Sequence, residues 1–128
     1  MRLKKFFLGS LLFLVCNLLF SPSTQAQDFW VYTDSYGVKT YVVSETAVRK
    51  KYAEIPVRAH LKRVTAQGEL ISHKQWQFMR DEGYLWASDG GKFFAIEKGP
   101  KVAYYATVVD RPDLMAALEW IAQNIAWS

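Results

Sequence analysis

From Phe29 onward the chain is a succession of short runs rich in aromatic and β-branched residues, each closed by a turn former, and that spacing constrains it to an antiparallel sheet. Runs 29–33 and 38–43 flank Asp34-Ser35-Tyr36-Gly37, where Asp and Gly suit the two ends of a tight turn. Residues 44–55 are charged and contain good helix formers, with Ser44 as a candidate N-cap and Pro56 as a stop, so a short helix or an ordered loop is expected there. In 56–64, Val57, Ala59 and Leu61 alternate with Arg58, His60 and Lys62, which predicts a strand with one dry face and one wet, basic face. After a turn at Gly68 and a short run 70–73, residues 74–80 place Trp76 and Phe78 on one face and Gln75 and Gln77 on the other. Runs 84–87 and 92–97 flank Ser88-Asp89-Gly90-Gly91, a hairpin loop whose residues tolerate positive φ. Lys98-Gly99-Pro100 then leads into 101–109, read as the last and longest strand.

The period changes at the C-terminus. Pro112 suits a first helical turn, Asp110 and Asp113 favour the positive end of the helix dipole, and Leu114, Leu118, Ile121 and Ile125 follow at helical spacing. A helix of about four turns with one apolar face is expected to dock on the sheet. The fold class expected is α+β: a curved antiparallel sheet of about six strands with a C-terminal helix packed on it.

Ahead of this domain, Arg2, Lys4 and Lys5 precede an apolar stretch over 6–20, and Ser21-Pro22-Ser23-Thr24-Gln25-Ala26 follows with small residues at Thr24 and Ala26. This is the pattern of a secretory signal peptide over 1–26, cleaved after Ala26; an uncleaved N-terminal anchor is the alternative. The apolar stretch falls short of the roughly 20 residues that span a bilayer. Cys16 lies behind the bulky Phe13, Leu14 and Val15, which does not suit a lipoprotein signal. One exported domain, 27–128, remains, bound for the periplasm, the cell surface or the medium.

Processing changes the charge argument. Three of the 16 basic residues and none of the 12 acidic ones precede the cleavage point, so 13 basic face 12 acidic residues in what is left. A near-neutral domain removes the case for nucleic acid that the precursor's +4 suggests. Cys16 is the only cysteine and leaves with the signal, so the domain must stand on its core without a disulfide. No later segment is long and apolar enough to span a membrane.

Residue types that carry chemistry are sparse. Without a cysteine nucleophile, and with His60 and His73 as the only histidines, no catalytic set is indicated, and both are read as ordinary surface or edge residues. The acids Asp81, Glu82 and Asp89 have sufficient reason to be where they are as turn formers, so neither a metal nor a cofactor is expected. Asp89-Gly90-Gly91-Lys92 lacks the strand, loop and helix order of a phosphate loop. Two features remain as candidate binding surfaces. Arg49, Lys50, Lys51, Arg58, Lys62 and Arg63 gather six of the 16 basic residues between positions 49 and 63, either as a solvated face that blunts a sheet edge or as a patch for an acidic partner. The loop carrying Ser88, Asp89 and Lys92 could insert into a partner's cleft. The aromatic content, 16%, is enough to fill a core and leave rings on a protein-binding face.

The order of these elements, with a signal peptide, a Trp-Val-Tyr hairpin opening at Trp30, Val31 and Tyr32, an alternating strand over 56–64 and a closing helix, resembles the small bacterial surface domains of the surface-adhesin protein E family. The resemblance implies a six-stranded antiparallel sheet with the helix on its concave side, and a role in binding host proteins; that family's disulfide has no counterpart in 27–128. The loop 88–93 followed by Lys98-Gly99 also resembles periplasmic lysozyme inhibitors, with Phe93 where a Tyr is expected. The expected function is therefore a non-enzymatic exported bacterial binding module whose partner is a protein of a host or of the envelope. The alternatives are an inhibitor of a secreted hydrolase acting through a hairpin loop, and a small-ligand carrier.

Overall fold

A computed structural model describes residues 27–102 and 105–128; the expected signal peptide lies outside the described residues. Six strands run in sequence order across one sheet: β1 (Asp28–Thr33), β2 (Lys39–Arg49), β3 (Val57–Val64), β4 (Leu70–Asp81), β5 (Tyr84–Ser88) and β6 (Phe94–Lys98). Every neighbouring pair is antiparallel, and the sheet curls into a half-barrel. The helix α1 (Pro112–Asn124) packs on β1 and β2 from the concave side.

Turn chemistry sets the first hairpin. The Asp34 carboxylate accepts the Tyr36 and Val38 N–H groups at 2.8 and 2.9 Å, and Gly37 takes φ +83 with an added Cβ barred by Ala66.

Paired residues in an antiparallel ladder point to one face, and the register therefore sorts the sheet. Val42 faces Leu61, Ala59 faces Trp76, Val57 faces Phe78 and Phe78 faces Ala87. These side chains line the concave face and meet Leu114, Ala117 and Ile121 of α1 to form the core. Trp76 stands edge-on to Phe94 at 6.0 Å, and Phe29 of β1 stacks on Trp120 of the helix at 4.9 Å. Of the helical positions expected to face the sheet, Leu114 and Ile121 are buried. Leu118 and Ile125 are half-buried, Ile125 lying just past the end of the helix.

Two elements differ from expectation. Residues 44–49 form neither helix nor loop but continue β2. The register breaks between Val43 and Val48, and the Thr46 hydroxyl bridges the break, donating to the Val43 carbonyl at 2.6 Å and accepting the His60 N–H at 2.8 Å. Among the described residues of 101–109 no strand forms. Gly99 N–H is bonded to the Gly83 carbonyl at 2.7 Å and the Lys101 carbonyl lies against Gly83, so the chain turns toward the β4–β5 connection instead of doubling back along β6. It rejoins the sheet only at Val108, in a single parallel bridge to Ala95, after the Ala106 N–H has reached the Tyr84 hydroxyl at 2.9 Å. Ala103 and Tyr104, within that expected strand, lie outside the described residues. The runs 70–73 and 74–80 merge into the one strand β4.

Candidate functional site

The convex face is the opposite side of the same ladder. Across it, Trp30 faces Tyr41, Tyr41 faces Lys62 and Lys62 faces His73, one unbroken row over β1 to β4. The adjacent row runs Asp28, Val43, His60, Gln75, and the next pairs Arg58 with Gln77. Trp30 is 61% exposed, with its indole N–H donating to the Thr33 hydroxyl at 2.7 Å. Lys62 reaches Asp28 at 2.9 Å, a half-exposed pair that contributes little to stability and holds the lysine stem along the sheet. Between the two rows, His60 Nδ1 and His73 Nε2 lie 3.1 Å apart with their rings edge to face.

The six basic residues expected to form a patch are divided by strand parity. Arg58 and Lys62 share the convex face. Lys50 and Lys51 lie beyond β2 in the connection to β3, whose Lys50 N–H bonds the Pro56 carbonyl at 2.7 Å. Arg49 is on the concave side, where its guanidinium donates to the Ala122 and Ile125 carbonyls at 3.1 and 2.7 Å and lies 4.0 Å over the Trp127 ring. It caps the helix C-terminus, where a cation is favoured, and ties down the final residues, whose Ser128 N–H bonds the Arg49 carbonyl at 2.8 Å.

Arg63 also points inward, into a polar hollow of about 270 Å³ under the start of α1, shared with Tyr32, Asp34, Thr40, Arg111 and Asp113. Its Nε is buried without a hydrogen-bond partner among the described residues. Arg111 grips Asp113 with two hydrogen bonds of 3.0 Å and lies over the Trp76 and Phe94 rings. Burial opposes the Asp113 charge, but the Arg111 hydrogen bond and charge, the Leu114 N–H and the charge of Arg63 outweigh it and hold the carboxyl below its ordinary range.

In the loop between β5 and β6, Ser88 is buried, its hydroxyl donating to the Gly91 carbonyl at 2.8 Å and accepting the Gly90 N–H at 3.1 Å. Ser88 thus shapes the loop rather than facing outward. Asp89 pairs with Lys74 at 3.1 Å, and this hydrogen bond lowers its pKa; Lys92 is exposed.

A further hollow of about 430 Å³ opens between the flank of α1 and the sheet, lined by Val57, Phe78, Leu85, Leu118 and Ile121 together with Arg49 and Arg80. Among the described residues no group of three or more His, Cys, Asp or Glu converges, and no helix is long and apolar enough to cross a membrane.

Compared with known proteins, the chain matches no family model, and neither a curated protein nor a solved structure matches it.

Proposed function

We propose that the chain is an exported, non-enzymatic bacterial binding module that engages an acidic partner protein through the convex face of its sheet. The observation that carries this reading is the cross-strand row Trp30, Tyr41, Lys62, His73, flanked by Arg58 and His60. Aromatic rings with a cationic side chain between them are the anchors from which protein interfaces are built, and Asp28 is the acid paired within this row's reach, so the face presents a positive balance. The polar groups nearby support binding over catalysis: the His60 ring faces the His73 ring, and the Thr46 hydroxyl beside it is occupied by two backbone groups. Export rests on the signal pattern of residues 1–26. The element order resembling the protein E surface domains fits the same reading.

The test is partner capture by the wild type and by a Trp30→Ala, Arg58→Ala, Lys62→Ala triple variant. Retention by the wild type, its loss in the variant, and its weakening as salt rises above the physiological range support the proposal. Equal retention by the two proteins refutes it.

The hollow beside α1 favours one second reading, a carrier of a small apolar ligand, since most of its lining is apolar, with Arg49 and Arg80 the charged groups in its wall. Saturable displacement of an apolar fluorescent probe, abolished by Leu118→Trp, is the outcome that reading requires.

A further inference from the structure

The two histidines are 13 positions apart in sequence and converge only because β3 and β4 form a hairpin in which Lys62 faces His73 and His60 faces Gln75. They are diagonal neighbours on one face, close enough for ring nitrogens to meet. The distance between His60 Nδ1 and His73 Nε2 is 3.1 Å. Two imidazole nitrogens bound to one ion at about 2.0–2.1 Å, at angles between octahedral and tetrahedral, stand roughly 2.8–3.4 Å apart. The pair therefore has the separation of a chelate, and the rings need only turn from their mutual hydrogen bond to aim both lone pairs at one ion.

We propose that His60, through Nδ1, and His73, through Nε2, form a two-imidazole site for a divalent transition-metal ion of the copper and zinc class. Imidazole suits these ions and not calcium or magnesium, which need oxygen ligands. The site has a supporting shell. The His60 backbone is fixed by its N–H to the Thr46 hydroxyl at 2.8 Å, and Thr46 is in turn fixed by the Val43 carbonyl. The neighbouring cations are Lys62, whose charge is matched by Asp28 at 2.9 Å, and Arg58; Tyr41 and Gln75 are the uncharged neighbours on this face. Ion binding replaces the contact between the rings, and any proton held between them leaves to solvent. With two protein ligands on one edge, the remaining coordination positions face outward, open to water or to a donor from another molecule. This inference is independent of protein docking on the same face.

The test uses the full chain without a polyhistidine tag, titrated with Zn²⁺ and, separately, Cu²⁺. Long-range ¹H–¹⁵N spectra of the histidine side chains should show His60 Nδ1 and His73 Nε2 shifting together and saturating at one Zn²⁺ per chain. Cu²⁺ should bind more tightly than Zn²⁺. His60→Ala and His73→Ala should each weaken Cu²⁺ binding at least about tenfold, since even the outer partners of a metal ligand matter on that scale. His73 is exposed, so His73→Ala should keep the wild-type melting temperature and separate ligand loss from unfolding. Zinc-induced shifts confined to one imidazole, or unchanged copper affinity in both variants, overturn the proposal.

Discussion

Two glycines with nearly the same backbone conformation test how the segment after β6 is held. Gly68, between β3 and β4, has φ +92 and open space where a Cβ would go; Gly83, between β4 and β5, has φ +85 and would place its Cβ on the Lys101 carbonyl. Alanine at either position carries left-handed strain of roughly 1–2 kcal/mol. At Gly68 that is the whole cost. At Gly83 the methyl fits only if Lys101 and Val102 move away, which endangers the 2.7 Å bond from the Gly99 N–H to the Gly83 carbonyl. Overpacking costs about 1–3 kcal/mol and a lost backbone hydrogen bond about 1 kcal/mol, so Gly83→Ala should be destabilising by about 2–4 kcal/mol beyond Gly68→Ala. In a domain of this size about 1 kcal/mol moves the melting temperature by roughly 4–8 °C, so the two variants should differ by at least about 8 °C in thermal melts followed by circular dichroism. Melting temperatures within about 2 °C of each other would refute the interlock between the β4–β5 turn and residues 99–102.

Three further outcomes follow from named contacts. Asp113 titrates below its ordinary range when folded, so its ionised form stabilises the fold above about pH 4 and that contribution is lost as pH falls through the folded value. Asp113→Asn should cost about 1–2 kcal/mol at pH 7 in urea denaturation, and the gap to wild type should narrow below about pH 4; a gap constant down to pH 3 contradicts the assignment. Arg49→Ala removes two donors to helix carbonyls and the cation over Trp127, and should cost about 1–3 kcal/mol, with faster hydrogen exchange over 125–128 than elsewhere. Thr46→Val keeps the shape of the side chain but strips the hydroxyl that bridges the β2 irregularity, and should cost about 1–3 kcal/mol; wild-type stability in that variant would mean that the bridge contributes nothing.

The sheet was legible wherever its signals were local. Val57, Ala59 and Leu61 alternate with polar residues over a whole strand, and Asp34 with Gly37 forms its turn from its own side chain, so β3 and the first hairpin could be read directly. The continuation of β2 to Arg49 could not, because the hydroxyl that bridges it bonds a residue 14 positions away. Residues 101–109 have a strand-like composition, but Lys101 and Val102 lie against Gly83, a contact that no periodicity encodes. The basic cluster was dispersed by a rule the sequence did contain: Arg58 and Lys62 share parity along β3, while Arg63 shares that of Leu61 and turns inward. The same parity, with a hairpin turn at Gly68, brings His60 and His73 to one face, yet their meeting depends on the register, which is a property of the folded ladder. Trp30 and Tyr41 were visible as strand aromatics, and the face each takes became clear only from that register.

The most direct test of the binding-module account is photo-crosslinking in the producing cell. A photoreactive phenylalanine is placed at Tyr41, in the centre of the convex row, and in a second protein at Leu118, beside the apolar hollow. The account predicts a discrete protein adduct from position 41, suppressed by Lys62→Ala, and none from position 118. Adducts from position 118 alone, or from neither position, would contradict the convex face as the place where this domain meets its partner.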